Sequence, residues 1–355
     1  MVTNTNTSSD APAAFDVLIG YAGRMHQRRD TESRTGAPET TDVAPVRPSG
    51  RNDLIDALKF FAIALVILTH VLRLRGEFVH LSPGLLRVIV SFNLPLFTVL
   101  SGWVLAGREG THPVRFLRGK AMGLLVPYFA WIAVEMPLRH VVPSGYAARL
   151  YHALLDPMSG MQMWYLWALF WMFAVFTAGR LVSRSDWWTA TLAVAVGCVA
   201  LFIPGGASGV DRVVWLYPYL VVGYLAARHR VRLRRFDRVA TAGSVAAFAV
   251  LSAYPTRLLP LQFATGVAGT VAACGLFQLV PRGALAWPAL AGRRSLGIYG
   301  SQMVVLPFLI VGLGWPGAIA SWAIVLGVSS ALAFALDRLV WTRAVFLGQW
   351  PRRKR

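Results

Sequence analysis

"DALKFFAIALVILTHVL", residues 56–72, sets this chain apart from a soluble domain. It is apolar enough to lie in a bilayer, and a helix rising about 1.5 Å per residue needs about 20 residues to cross one. Yet it carries Lys59 and His70. Ionisable groups within a span are costly, and they face the bundle interior or a cavity, so each marks a functional candidate. Residues eleven positions apart differ by only about 20° around a helix, so Lys59 and His70 share a face, roughly 17 Å apart. Asp56 lies three residues before Lys59 on nearly the same stripe and predicts a carboxylate–ammonium pair. One reading makes Lys59 and His70 two ends of a chemical path, with His70 suited to acid–base work near neutral pH. The other has Lys59 snorkelling and His70 ending the helix at the outer interface.

The rest of the chain agrees with a membrane setting. Of 355 residues, 56% are hydrophobic and 14% charged, where soluble domains run near about 25% charged. Ten apolar stretches centre near residues 62, 95, 129, 170, 196, 219, 246, 270, 304 and 327. The expected fold is all-α, a polytopic bundle of about ten transmembrane helices. Most Lys and Arg residues fall in the tail to Arg51, in 108–120, in 180–184, in "RHRVRLRRFDR", in 282–294 and in the C-terminal run. Arg73, Arg75, Arg87, Arg139, Arg149, Arg212 and Arg257 fall on the other side. By the positive-inside rule both termini are cytoplasmic, and the net charge of +19 needs no nucleic acid to account for it.

Three regions are expected: a disordered cytoplasmic tail over residues 1–50, a transmembrane domain over 51–345 and a basic cytoplasmic tail over 346–355. The first fifty residues lack a signal peptide's apolar core; "AFDVLIGYAGRM" within them could form a short helix. Cys198 and Cys274 sit in apolar runs and read as small buried hydrophobes. No metal-ligand set, P-loop or dinucleotide fingerprint is present in the sequence.

Other spans also hold polar groups. In "SFNLPLFTVLSGW", Pro95 breaks a helical hydrogen bond amid Asn93, Ser101 and Gly102, which fits either a packing kink or a cavity. Arg115 and Arg118, at i and i+3, can bind a phosphate together, or can serve as ordinary inner-leaflet charge. Glu135 stands at about the depth of His70, where it could orient the imidazole or pair with Arg139. Trp164 and Tyr165, in "MQMWYLWALFWMF", are either interface anchors or a wall for a sugar or a pantetheine arm.

Taken in order, these motifs resemble acyltransferase family 3, and within it the fucose 4-O-acetylase-like branch. "RNDLIDALKFFAIALVILTH" resembles the first-helix signature, a basic residue followed by ten residues and a histidine. "FNLPLFTVLSGW" is similar to the second-helix pattern, "RFLRGKAMGLLVPY" to the RxxR stretch and its following proline–tyrosine, "MWYLWALF" to the aromatic element and "RRSLGIYGSQMVV" to the late "NSLxIYLLH". The resemblance covers residues 51 to about 345.

It implies transfer of an acyl group, commonly acetyl from acetyl-CoA, to a hydroxyl of a carbohydrate or lipid-linked glycan. The family's catalytic histidine falls at His70, its basic partner at Lys59 and its donor-associated arginines at Arg115 and Arg118. No tightly bound cofactor is expected, since acyl-CoA is a co-substrate, and the protein is placed in the cell membrane among lipids. Asn93 and Gln302 stand where the family often has histidine, which points to a different acceptor or an impaired copy. The expected chemistry has His70 take the acceptor's proton, with Asp56, Lys59 and Glu135 supporting, and Ser101 or amides near Pro95 holding the oxyanion. An acetyl-histidine intermediate is the competing route. Asn93, Trp164, Tyr165 and Gln302 are the expected acceptor-side contacts, with choice among acceptors residing in "RHVVPSGYAARLYHALLDPMSGMQM". A transporter of glycans or lipid-linked intermediates, or a non-catalytic membrane partner, are the other function classes; no pair of matching interrupted helices favours the transporter.

Overall fold

Asn52 opens the first helix, its Oδ1 accepting the Leu54 N–H at 3.1 Å and satisfying one of the amides that a helix start leaves unpaired. This computed structural model describes residues 52–74, 83–108, 110–138, 163–203, 209–229, 238–254, 258–310 and 314–350. The helices are α1 (Asp53–Leu74), α2 (Pro83–Ala106), α3 (Pro113–Lys120), a π-turn (Ala121–Leu125), α4 (Val126–Leu138), α5 (Trp164–Val182), α6 (Asp186–Val199) and α7 (Val210–Arg228). There follow α8 (Arg238–Ala253), α9 (Leu259–Leu279), α10 (Ala286–Gly292), α11 (Ser295–Val305), α12 (Gly314–Leu336) and α13 (Val340–Leu347). Among the described residues there are no strands.

Each of the ten apolar centres falls within one of these helices. Five helices are long and apolar enough to cross a membrane: α1, α2 from Gly84, α5, α9 and α12. The apolar helices α6 and α8 are shorter, and α7 carries Asp211, Arg212 and Arg228 at its ends. The third stretch is divided by the π-turn and the eleven-residue α11 ends in a 3-10 turn, Leu306–Phe308.

Without a hydrophobic drive between helices in lipid, close packing depends on small residues. At the α2–α7 crossing, a side chain on Gly102 would strike the Leu220 carbonyl, and one on Gly223 would strike that of Val99. The crossing is therefore backbone against backbone. The buried α1 also packs closely on α10, where a Cβ at Gly292 would collide with the Asp56 carbonyl. The Trp322 indole of α12 donates to Ala64 O of α1 at 2.8 Å. Arg294, stacked over Phe334 at 4.3 Å, pairs with Asp337 and ties the start of α11 to the end of α12.

Two expectations are corrected here. Cys274 is buried, but Cys198 is exposed. The reason is that α6 buries only Thr189 and Ala193 and meets Pro218 of α7 through Gly197, leaving its other faces outward. Helix α13 also crosses the boundary drawn at residue 345, and the chain packs on the bundle as far as Trp350. The tail before Asn52, the "AFDVLIGYAGRM" patch, Arg139 and the outer stretch 139–162 lie outside the described residues.

Candidate functional site

The stripe expected on α1 is present. Lys59 and His70 are half-buried at its two ends, Ile63 and Val66 on the same face between them are buried, and the half-buried Phe61, Leu65 and Leu68 lie on the opposite face. Asp56 is 4% exposed and accepts from Lys59 Nζ at 3.2 Å. The sequence reading missed the other side of that carboxylate. Arg293, just ahead of α11, lies 3.6 Å from Asp56 through Nε and 2.9 Å from Asp53 through a terminal nitrogen. Two carboxylates thus hold two cations, and Lys59 is fixed at one end of the stripe with its side chain still partly accessible.

The short helix α3 distributes its charges unexpectedly. Arg115 and Arg118 share a face, and that face is exposed; among the described residues neither has an ion-pair partner. Phe116 and Lys120, at i and i+4, share the inward face. Lys120 Nζ lies 3.9 Å from the Phe173 ring centroid and 5.4 Å from that of Phe116, a geometry in which the ring faces attract the cation. Among the described residues no carboxylate pairs with it. Burial, then the charges of Arg108 and Lys59, hold its ammonium below the usual lysine range, at about 8. Lys59, Arg108 and Lys120 therefore form one cationic group, and such a group with few counter-charges suits a polyanionic ligand. The signal was in the sequence: the chain's lysines are Lys59, Lys120 and Lys354, and two of the three converge here.

Near the bundle centre is a second, uncharged group. Tyr165 is 5% exposed, its hydroxyl 3.2 Å from Thr98 Oγ1 and within hydrogen-bonding reach of Ser101. Its ring meets Phe97 at 5.9 Å, Trp164 at 6.0 Å and Tyr299 at 6.4 Å. Tyr165 is therefore an interior residue rather than an interface anchor. Trp164 is half-buried and stacks with Arg212, whose guanidinium carbon stands 5.2 Å from the ring centroid. Glu135 is 2% exposed and acts electrostatically on Tyr299 together with Tyr165 and Tyr128. Gln302 is fully buried, and among the described residues neither atom of its amide has a hydrogen-bond partner. A buried, unsatisfied amide is destabilising unless something else fills its valences.

The kink region is more occupied than the sequence suggested. Asn93 Oδ1 accepts the Leu94 N–H at 2.7 Å, Thr98 Oγ1 donates to Leu94 O at 2.9 Å and Ser101 Oγ donates to Phe97 O at 2.9 Å. Pro95 releases a carbonyl, not an amide. For Ser101 or Leu94 to hold an oxyanion, one of these bonds must change partner. Among the described residues no hydrogen bond fixes the His70 ring, and the structure brings His70 near Arg73 rather than showing a contact with Glu135.

The helical bundle, its five helices long and apolar enough to cross a membrane and its aromatic interior define a multi-helix protein with a group of cations around Lys120. A family model described as an acyltransferase domain matches residues 52–338, and the chain belongs to that family, acyltransferase family 3. It is 28% identical over 196 residues to the nodulation protein NolL of Sinorhizobium fredii, a match covering 51% of this chain. The matched part is 50% of the relative, so the chain spans about half the length of the curated relative it matches. No solved structure matches.

Proposed function

We propose that this protein is a cell-membrane O-acyltransferase that moves an acetyl group from cytoplasmic acetyl-CoA to a hydroxyl of a carbohydrate or lipid-linked glycan. The observation that carries the reading is the α1 stripe. It joins the cationic group at Lys59 to the half-buried imidazole of His70 on one continuous helix face. Donor and acceptor can then approach from opposite sides and meet within the bundle. Both termini and the Lys59 end are cytoplasmic in this reading, as the basic loops require.

Lys59, Arg108 and Lys120 bind the phosphates of the donor at the inner end, with Arg115 and Arg118 contributing attraction from the surface. The pantetheine arm runs along the stripe and presents the thioester to His70. As the acceptor oxygen attacks the thioester carbonyl carbon, His70 takes the hydroxyl proton. The tetrahedral intermediate collapses with loss of the C–S bond, and the imidazolium returns the proton to the departing thiolate. A positioned base contributes about 10²–10⁴ in rate. Trp164, Tyr165, Asn93 and Gln302 form the acceptor side, where the unsatisfied Gln302 amide has capacity to bond a sugar hydroxyl.

The test supplies acetyl-CoA labelled in the acetyl group to membranes with and without the protein. Label entering a glycan or glycolipid fraction only where the protein is present supports the reading. Label that enters no acceptor, with donor unconsumed, returns the transporter and partner readings.

A further inference from the structure

The chain between Lys120 and Val126 leaves the α-helical ladder. In the π-turn the Val126 N–H donates to Ala121 O, five residues back. The α-helical acceptor for that amide is the Met122 carbonyl, which is thereby bypassed. The next amide that a π-turn offers Met122 belongs to Pro127, which has no N–H. Met122 O is left without a donor from its own helix.

The C-terminal segment supplies one. Trp350 Nε1 donates to Met122 O at 3.0 Å. Gly348, at φ 64°, packs its backbone on the Gly123 carbonyl, where a Cβ would collide. Phe346 O accepts from Trp131 Nε1 of α4 at 3.1 Å. Gln349 Nε2 then reaches Arg293 O at 3.4 Å, and Arg293 is the residue that shares Asp56 with Lys59. A single short segment touches the supports of both lysines.

We propose that residues 346–350 are a positioning segment for donor binding. They fix the π-turn on one side and Arg293 on the other, and so set the relative placement of Lys120 and Lys59. Trp350 acts through the Met122 carbonyl and never touches the donor. The inference rests on the donor-site reading above.

The test measures KM for acetyl-CoA and kcat in full-length protein, in membranes matched for protein level. Trp350→Phe removes the indole N–H and keeps an aromatic ring; it is expected to raise the donor KM about fivefold, the usual effect of one lost hydrogen bond, with kcat little changed. Lys120→Ala raises the donor KM by a larger factor. Trp350→Phe added to Lys120→Ala has no further effect, because the group it positions is gone. A wild-type KM in Trp350→Phe, or the same fold-increase in both backgrounds, overturns the proposal. A wild-type KM in Lys120→Ala alone overturns the donor-site reading, a separate outcome. If Trp350→Phe does not accumulate, Gln349→Ala is expected to raise the donor KM in wild type and not in Lys59→Ala; equal effects in both overturn the proposal.

Discussion

Replacing Lys120 by methionine keeps an unbranched apolar stem between Phe116 and Phe173 and removes only the ammonium. A charge-assisted hydrogen bond from this group to a donor phosphate is worth about 1.5–3 kcal/mol, or about 10- to 150-fold in donor KM. The variant also relieves the repulsion with Arg108 and Lys59 that the structure imposes, so its melting temperature in detergent is expected to equal or exceed wild type. A weakened donor site in an unweakened fold is the signature of a binding residue rather than of a scaffold residue. Arg115→Ala and Arg118→Ala act from an exposed face, where solvent screening limits each contact to about 0–1 kcal/mol, less than about fivefold in KM. The pH profile gives a second handle. Because Lys120 titrates near 8, it is charged below that pH and loses its charge as pH rises through it. The donor KM is therefore expected to climb above pH 8 in wild type and to stay flat in Lys120→Arg, whose guanidinium does not titrate. The assay is initial-rate transfer of labelled acetyl from acetyl-CoA over a pH series. A larger KM effect from Arg115→Ala than from Lys120→Met would refute the assignment.

Two further outcomes follow from packing and charge. Asp56→Asn removes the carboxylate between Lys59 and Arg293, while Arg293 keeps Asp53. Since both cations are partly exposed, the expected loss is about 1–2 kcal/mol rather than the larger cost of stranding a fully buried charge, read as a lower melting temperature together with a higher donor KM. Gly223→Ala places a methyl against the Val99 carbonyl at the α2–α7 crossing. An overpacking cost of about 1–3 kcal/mol is expected, seen in thermal unfolding of purified protein, and a stability equal to wild type would show that this crossing can open.

Much of this arrangement was legible before any coordinates. The centres of the apolar stretches all fall in helices, and five of those helices are long and apolar enough to cross a membrane. The Asp56–Lys59 pair and the common face of Lys59 and His70 follow from helical periodicity alone. Helical spacing also put Arg115 and Arg118 on one face, but it could not say that this face looks outward. That depends on Phe116 finding Phe173, an edge-on contact at 5.9 Å, and on a π-turn that no local pattern announces. Arg293 is distant in sequence from Asp53 and Asp56, so only the folded bundle discloses their bond. For Tyr165 the sequence left both an interface anchor and an interior wall open, and its hydroxyl, 3.2 Å from Thr98 Oγ1, goes inside. Residues 346–350, "FLGQW", were grouped with the basic run at 352–355 that follows them, while Trp350 and Gln349 make contacts far upstream.

In the proposed acyl transfer, His70 acts as the base. This role is tested most directly by comparing wild type with His70→Ala in matched membranes, following acetyl label from acetyl-CoA into glycan, lipid and small-molecule fractions. The expected result is protein-dependent label in a carbohydrate-bearing fraction that falls by about 10²–10⁴ in rate in the variant. Equal transfer by both proteins would contradict it and remove His70 from the chemistry.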